Sequence, residues 1–274
     1  MAGEAGRIGW LIQNVVGRDK VKNQYVGDVG DFGKYSLLRA FYEAGIKIGV
    51  NWYLTDNDGS SDGKFVDYLN KEELRSADPT LFDFLRSIAF LEDKTVQMIE
   101  SADVIPNAKY YHALMDFHGN EPLAREWGRR GWFMNSQLFL DETDLIFADP
   151  DNGISFQKNA RQKESEKFIL PEEIVEYYGR GKDIVYYCHK GRRKSEDWEI
   201  AKTGIRRYIR DCQILALTYH RGTQRSYIFV VHPDQYRTYA GLLNEFEDTV
   251  WGKLFSREKI EGNVLTTDEE RNWF

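Results

Sequence analysis

Cysteine is scarce in this chain, with only Cys188 and Cys212 among 274 residues. Two thiols are too few for a disulfide framework or a zinc site, and both stand in strand-like or apolar contexts where a reduced, buried thiol is the ordinary state. A reducing, cytoplasmic compartment is therefore expected. Proline is scarce too, with 6 residues, and hydrophobic residues at 42% with charged residues at 30% leave no long segment to disorder. No apolar run approaches the ~18 residues of a membrane span. The opening MAGEAGRIGWLIQNVVGRDK lacks a basic segment followed by a clean apolar core and cleavage site, so no membrane partner and no export are expected. A positive excess is absent as well: the formal net charge is -7, which argues against nonspecific adhesion to nucleic acid while leaving room for a local basic patch.

What the chain does have is aromatic residues, 14% of the total, and an alternation of strand and helix patterns. Phe32, Tyr35, Leu38 and Phe41 recur at helical spacing after Asp31, read as the N-cap, and Gly45 is a fitting stop. IKIGVNWYL (46–54) reads as a strand. Helical patterns follow over 65–101, broken at Asp78-Pro79. A strand is expected around 110–114 and a helix over 127–140, with Trp127, Trp132 and Phe133 in the core. DLIFA (144–148) and KDIVYYCHK (182–190) read as buried strands, with helices over 172–178 and 196–209. Two more strands close as a hairpin before a helix over 233–251. This order predicts a doubly wound, mostly parallel Rossmann-like α/β sheet with an antiparallel C-terminal hairpin. It forms one domain over 23–254, between an N-terminal extension (1–22) and a polar C-terminal tail (255–274) expected to lie loosely on the surface.

Ligands of open α/β sheets bind beyond the carboxyl ends of the strands, where three polar loops should meet: 56–63, 149–153 and 189–194. The second is the sharpest. In DLIFADPDNGI a buried strand runs into Asp149 and Asp151, which bracket a rigid proline, and Asn152-Gly153 lets the chain reverse. Read alone, it is a turn. The first loop, TDNDGSSDG, offers Asp56, Asp58 and Asp62 as acceptors for hydroxyl and amino groups. With Asp149 and Asp151 they could equally serve as hard oxygen ligands for Mg²⁺, which would suggest a nuclease or phosphohydrolase. The third carries His189, Lys190, Arg192 and Arg193, a basic cluster placed to meet phosphates or a substrate base. Arg206, Arg207 and Arg210 read as a solvated helix face, and His112, His118, His220 and His232 as structural. Lys34 falls in the first turn of its helix, where the macrodipole disfavours a cation by roughly 0.3–1 kcal/mol. An anion at Asp28, at Asp31 or on a bound ligand would remove that conflict.

Taken with GDVGDFGKYSLL, these loops resemble the class I S-adenosylmethionine-dependent methyltransferases, and among them the bacterial large-subunit ribosomal RNA adenine methyltransferases, over roughly 25–236. Lys34 and Tyr35 stand at that family's Lys-His positions, NWYLTDNDGSSDG at its first strand and cofactor loop, and LIFADPDNGI at its Asp-Pro-Pro-Tyr motif. The chain is also similar to a widespread group of bacterial proteins carrying YVGDVGDF and FADPDNG, from which no activity is inferred.

The resemblance implies S-adenosylmethionine as cofactor, held by Lys34, Asp56, Asp58, Gly59, Asp62 and Gly63. It implies an amino acceptor, in nucleic acid, oriented by Asp149 with Asp151 and Asn152, and faced by His189, Lys190, Arg192 and Arg193. DPDN replaces Asp-Pro-Pro-Tyr, so the second proline and the ring that stacks on a flipped base are missing, and TDNDGSSDG lacks a compact Gly-x-Gly. A noncatalytic binding protein on the same fold is the third reading beside the methyltransferase and the Mg²⁺ enzyme.

Overall fold

The computed structural model describes residues 23, 25–55, 65–117, 119, 121–191, 193–222 and 224–262. Helix α1 (Val29–Glu43) begins earlier than the sequence suggests, because Asp28 and not Asp31 caps it. Asp28 Oδ1 accepts from the backbone N–H groups of Gly30 and Asp31 at 2.7 and 3.1 Å, satisfying donors that the helix itself cannot. Asp31 turns back instead and accepts from Gly27 N at 2.9 Å. Gly45, at φ 88°, takes the left-handed position just past the helix end, as expected.

Strand β1 (Ile48–Asn51) is followed by helices α2 (Glu72–Arg75), α3 (Pro79–Ile88) and α4 (Val96–Ser101). Strand β2 (Lys109–Tyr111), helix α5 (Pro122–Phe139), strand β3 (Leu145–Ala148) and helix α6 (Pro171–Gly179) come next. The remainder is β4 (Asp183–His189), α7 (Ser195–Thr203), β5 (Gln213–Tyr219), β6 (Arg225–Val231), α8 (Tyr236–Glu247) and β7 (Phe255–Arg257). Asp78 caps α3 by accepting from Leu81 N, with Pro79 at its first position, so the Asp-Pro break is a helix start.

One seven-stranded sheet runs in the order β2-β1-β3-β4-β6-β5-β7. Its first four strands are parallel, and β6 enters antiparallel between β4 and β5, closing the hairpin. The fold is the expected α/β sheet, with a parallel core and an antiparallel C-terminal end. Period-two alternation sorts its side chains. Leu145, Phe147 and Val185 enter the layer packed under α1, α3 and α8, while Ile146, Ala148, Ile184 and Tyr186 enter the opposite layer with Trp132, Phe133 and Tyr177. Both faces are covered, which is why β3 and β4 read as continuous apolar runs.

Three further expectations are corrected. Strand β1 stops at Asn51 and not at Leu54, because Tyr53 adopts a left-handed φ of 49° that cannot continue a strand. Residues 255–257 do not lie loosely: β7 pairs with β5, Phe255 is buried, and Glu258 accepts from Trp198 Nε1 at 2.9 Å. A three-residue strand carries too little pattern to read. Trp127 is 71% exposed, whereas Trp132 and Phe133 are core. Cys188 and Cys212 are both buried and free. Among the described residues, no helix is long and apolar enough to cross a membrane.

Candidate functional site

From β1 the sheet winds outward to β2, and from β3 it winds the other way to β4, so the order reverses between β1 and β3. Connections diverge at such a point and leave a crevice beyond the strand ends. A cavity of about 360 Å³ lies there, within the size range of small-molecule sites. Trp52, Tyr53 and Thr55 line it after β1, Asp149, Pro150 and Asp151 after β3, and Tyr187 and His189 at the end of β4. Helix α1 adds Asp28, Gly30, Asp31, Lys34 and Tyr35, and the start of β6 adds Arg225 and Tyr227.

Lys34 is the hub. Its ammonium lies 2.8 Å from Asp31 Oδ1 and 2.8 Å from Asp149 Oδ2, and its side chain is only 11% exposed. The rings of Tyr35 and Trp52 flank it at 4.9 and 5.1 Å, a cation–π arrangement. Burial by itself depresses a lysine, but Asp149 and Asp31 outweigh it and hold Lys34 well above the ordinary lysine range. Burial also raises the Asp149 carboxyl, against the pull of Lys34. Lys34 governs the pair: a cation shared by two carboxylates stays charged and leaves neither of them isolated. With Asp28 as cap, Lys34 sits in the second turn of α1, where the helix dipole matters less. The anions that hold it are Asp31, one of those expected, and Asp149, which is remote in sequence.

A second pair braces the rim. Arg225 NH2 donates to Asp28 Oδ2 at 2.6 Å, tying β6 to the cap of α1. Burial raises the Asp28 carboxyl and Arg225 pulls against it. The glycines of GDVGDFGK are close-packing positions: a Cβ on Gly30 would fall 2.5 Å from Arg225 Nε, and one on Gly33 2.8 Å from the Tyr219 ring. Behind the cavity, Tyr53 is held in its left-handed conformation by a hydrogen bond from its hydroxyl to Glu173 Oε2 at 3.0 Å, and Arg129 Nε donates to Glu173 Oε1 at 2.7 Å. Such strain persists only where the surroundings over-determine it.

The cavity therefore gathers Lys34, Asp149 and Asp151 from the residues expected at the site, and His189 from the basic cluster. Asp56, Asp58, Gly59, Asp62, Gly63 and Arg192 lie outside the described residues, although Thr55 and Phe65, which flank the first loop, both line the cavity. Asn152, Lys190 and Arg193 do not line it. Arg193 is a clip: NH1 donates to the His189 carbonyl at 3.0 Å and NH2 to the Asn152 carbonyl at 3.0 Å, holding the DPDN turn against the end of β4. Gly153, at φ 78°, lies so close to β4 that a Cβ would meet Cys188 Sγ at 2.5 Å. Sequence reasoning missed Arg225, Trp52 and Tyr53. Spacing holds no signal for Arg225, which is 197 residues from Asp28.

Four carboxylates (Asp28, Asp31, Asp149, Asp151) face one ammonium, one guanidinium and one imidazole, so the cavity is acidic and suits a cationic or amino ligand. Its acids fit Mg²⁺ poorly. Of the expected Mg²⁺ ligands, Asp149 is already engaged by the Lys34 ammonium, which it shares with Asp31, while Asp56, Asp58 and Asp62 lie outside the described residues. Among the described residues, no three His, Cys, Asp or Glu side chains are grouped to hold a metal. Aromatic rings beside carboxylates are the chemistry that receives a flat apolar group joined to a cation. No protein-family model matches the chain, and no curated protein matches it.

Proposed function

We propose that this chain is an S-adenosylmethionine-dependent methyltransferase that acts on an amino nitrogen, with nucleic acid as the substrate class. The observation that carries the reading is the contact between Lys34 and Asp149, since it joins the two motifs of the resemblance in one cavity at the switch point of the sheet. When bound, the cofactor supplies an electrophilic methyl group on a cationic sulfonium. The protein's own work is positioning. Lys34 occupies Asp149 Oδ2 and leaves Oδ1 to accept from the amino group to be methylated. Pro150 stiffens the turn that aims this carboxylate. The acidic lining favours the cationic donor, and the rings of Trp52 and Tyr35 beside the Lys34 ammonium offer flat apolar walls. Charge is dispersed as the methyl leaves sulfur, so no oxyanion site is required. The ammonium between Asp31 and Asp149 weighs against a Mg²⁺ enzyme.

The test is calorimetry with S-adenosylmethionine and with Mg²⁺, followed by labelled-methyl transfer to total RNA, DNA and protein by the wild type and Asp149→Asn. Expected are heat with S-adenosylmethionine alone, label in one nucleic-acid fraction, and a loss of about 100-fold in rate for the variant, far larger than its loss of cofactor affinity. Binding without transfer would assign a noncatalytic role, and heat with Mg²⁺ alone would sink the reading.

A further inference from the structure

Five of the large hydrophobic side chains left exposed belong to one helix, α5: Leu123, Trp127, Met134, Leu138 and Phe139, at 57, 71, 53, 64 and 50% exposure. The inner face of α5 is fully used, with Arg129, Trp132, Phe133 and Ser136 buried against the sheet. At about 100° per residue, Leu123, Trp127, Met134 and Leu138 fall within one narrow stripe, with Gly131 at its edge. They leave about 500 Å² of apolar surface in one row, within the range of the largest patch on a monomer, which is often functional.

The order of the stripe identifies the occupant. From Leu123 to Trp127 is four residues, from Trp127 to Met134 seven, and from Met134 to Leu138 four. That spacing reads the same from either end, with its centre between Arg130 and Gly131. We infer that the outer face of α5 is a self-association surface, on which a second copy of this chain packs its own α5 antiparallel across a two-fold axis between Arg130 and Gly131. Leu123 then meets Leu138 of the other copy, and Trp127 meets Met134, a favourable sulfur–aromatic contact. An isologous interface requires a self-complementary row of this kind. Gly131 lets the helices approach at the axis, since a Cβ built there meets nothing within 4 Å in the same chain. Arg130, exposed beside the axis, keeps its charge in water. Two stripes together bury at most about 1,000 Å², the low end for a specific interface, so a weak, reversible dimer is expected.

Sedimentation equilibrium on the full chain over a range of concentrations tests this. The expected result is reversible doubling of the 32.0 kDa chain mass. Trp127→Glu should raise the dissociation constant about 100-fold, with an unchanged circular dichroism spectrum because the side chain is exposed. A cross-link fixes the geometry independently, since both native cysteines are buried. Arg130→Cys, at an exposed position beside the axis, should form a covalent dimer on mild oxidation. Leu123→Cys should not, because antiparallel helices hold the two copies of that residue about 22 Å apart. A wild type monomeric at every concentration, a Trp127→Glu dimer as tight as wild type, or efficient linking through Leu123→Cys would each overturn the proposal.

Discussion

Lys34 and Asp149 are 115 residues apart in the chain and 2.8 Å apart in space, and the ion pair between them closes the cavity at the switch point of the sheet. One lies on the first helix and the other at the end of the third strand. Their contact couples the placement of α1 to the acidic turn, so the pair serves the fold as well as the site.

Removing one partner should cost more than removing both. Lys34→Met leaves Asp31 and Asp149 facing each other with little water, and should destabilise the protein by about 2–4 kcal/mol. The double variant Lys34→Met with Asp149→Asn should recover about half of that loss. Urea denaturation of the two single variants and the double variant measures the coupling. Strict additivity would mean that the pair contributes nothing to stability.

Gly30→Ala introduces a single methyl group where Arg225 Nε already stands. Arg225 must swing out, breaking its bond to Asp28 and loosening the cap of α1. A loss of about 1–3 kcal/mol is expected, read as a fall of several degrees in melting temperature. Arg225→Ala should produce a similar loss, and Gly30→Ala added to it should then cost little, because the clash is gone.

His232 predicts a pH dependence. Its Nδ1 donates to Asp183 Oδ1 at 2.8 Å and its Nε2 to the Tyr178 carbonyl at 3.2 Å, while its ring stacks on Tyr178 at 3.8 Å. With both ring nitrogens donating, the imidazolium is favoured. The Asp183 hydrogen bond leads in raising the pKa above the ordinary 6.5, against the opposing effect of burial, and the charges of Asp183 and Asp234 add to it. The folded state thus binds the proton more tightly than the unfolded chain. Its stabilisation is complete below about pH 6.5 and is lost as pH rises through the raised value. Asp183→Asn should flatten this slope, leaving a smaller part from His112 on Glu100, which is raised in the same way. NMR titration of His232 checks the shift directly, and a midpoint at or below the ordinary value would refute it.

Much of the fold is legible in local pattern. Ile184, Val185 and Tyr186 announce a strand buried on both faces, because helices cover each side of it. Pro79 after Asp78 announces a helix start. Pattern failed where a local preference was overruled. Trp52 and Leu54 look like strand residues, but Tyr53 is bent out of the ladder by Glu173, 120 residues away. Asp31 looks like a cap, yet Asp28 takes that place and leaves Asp31 to bond Gly27 and Lys34. Arg193 looked outward from the basic cluster, but the carbonyls of Asn152 and His189 take its donors.

The sequence alone determined the alternation of strands and helices, the acidic turn after the third strand, and a lysine on the first helix, whose burial then required an anion. Each of these depends on residues a few positions apart, and short-range periodicity and capping chemistry record them directly. Only the tertiary structure decided that Asp149 would be that anion, that Arg225 would brace Asp28, and that the stripe on α5 would face outward. Those outcomes depend on strand order and on which helix covers which face of the sheet. Both are settled by burying the most apolar surface over the whole chain, a sum to which no single segment holds the answer.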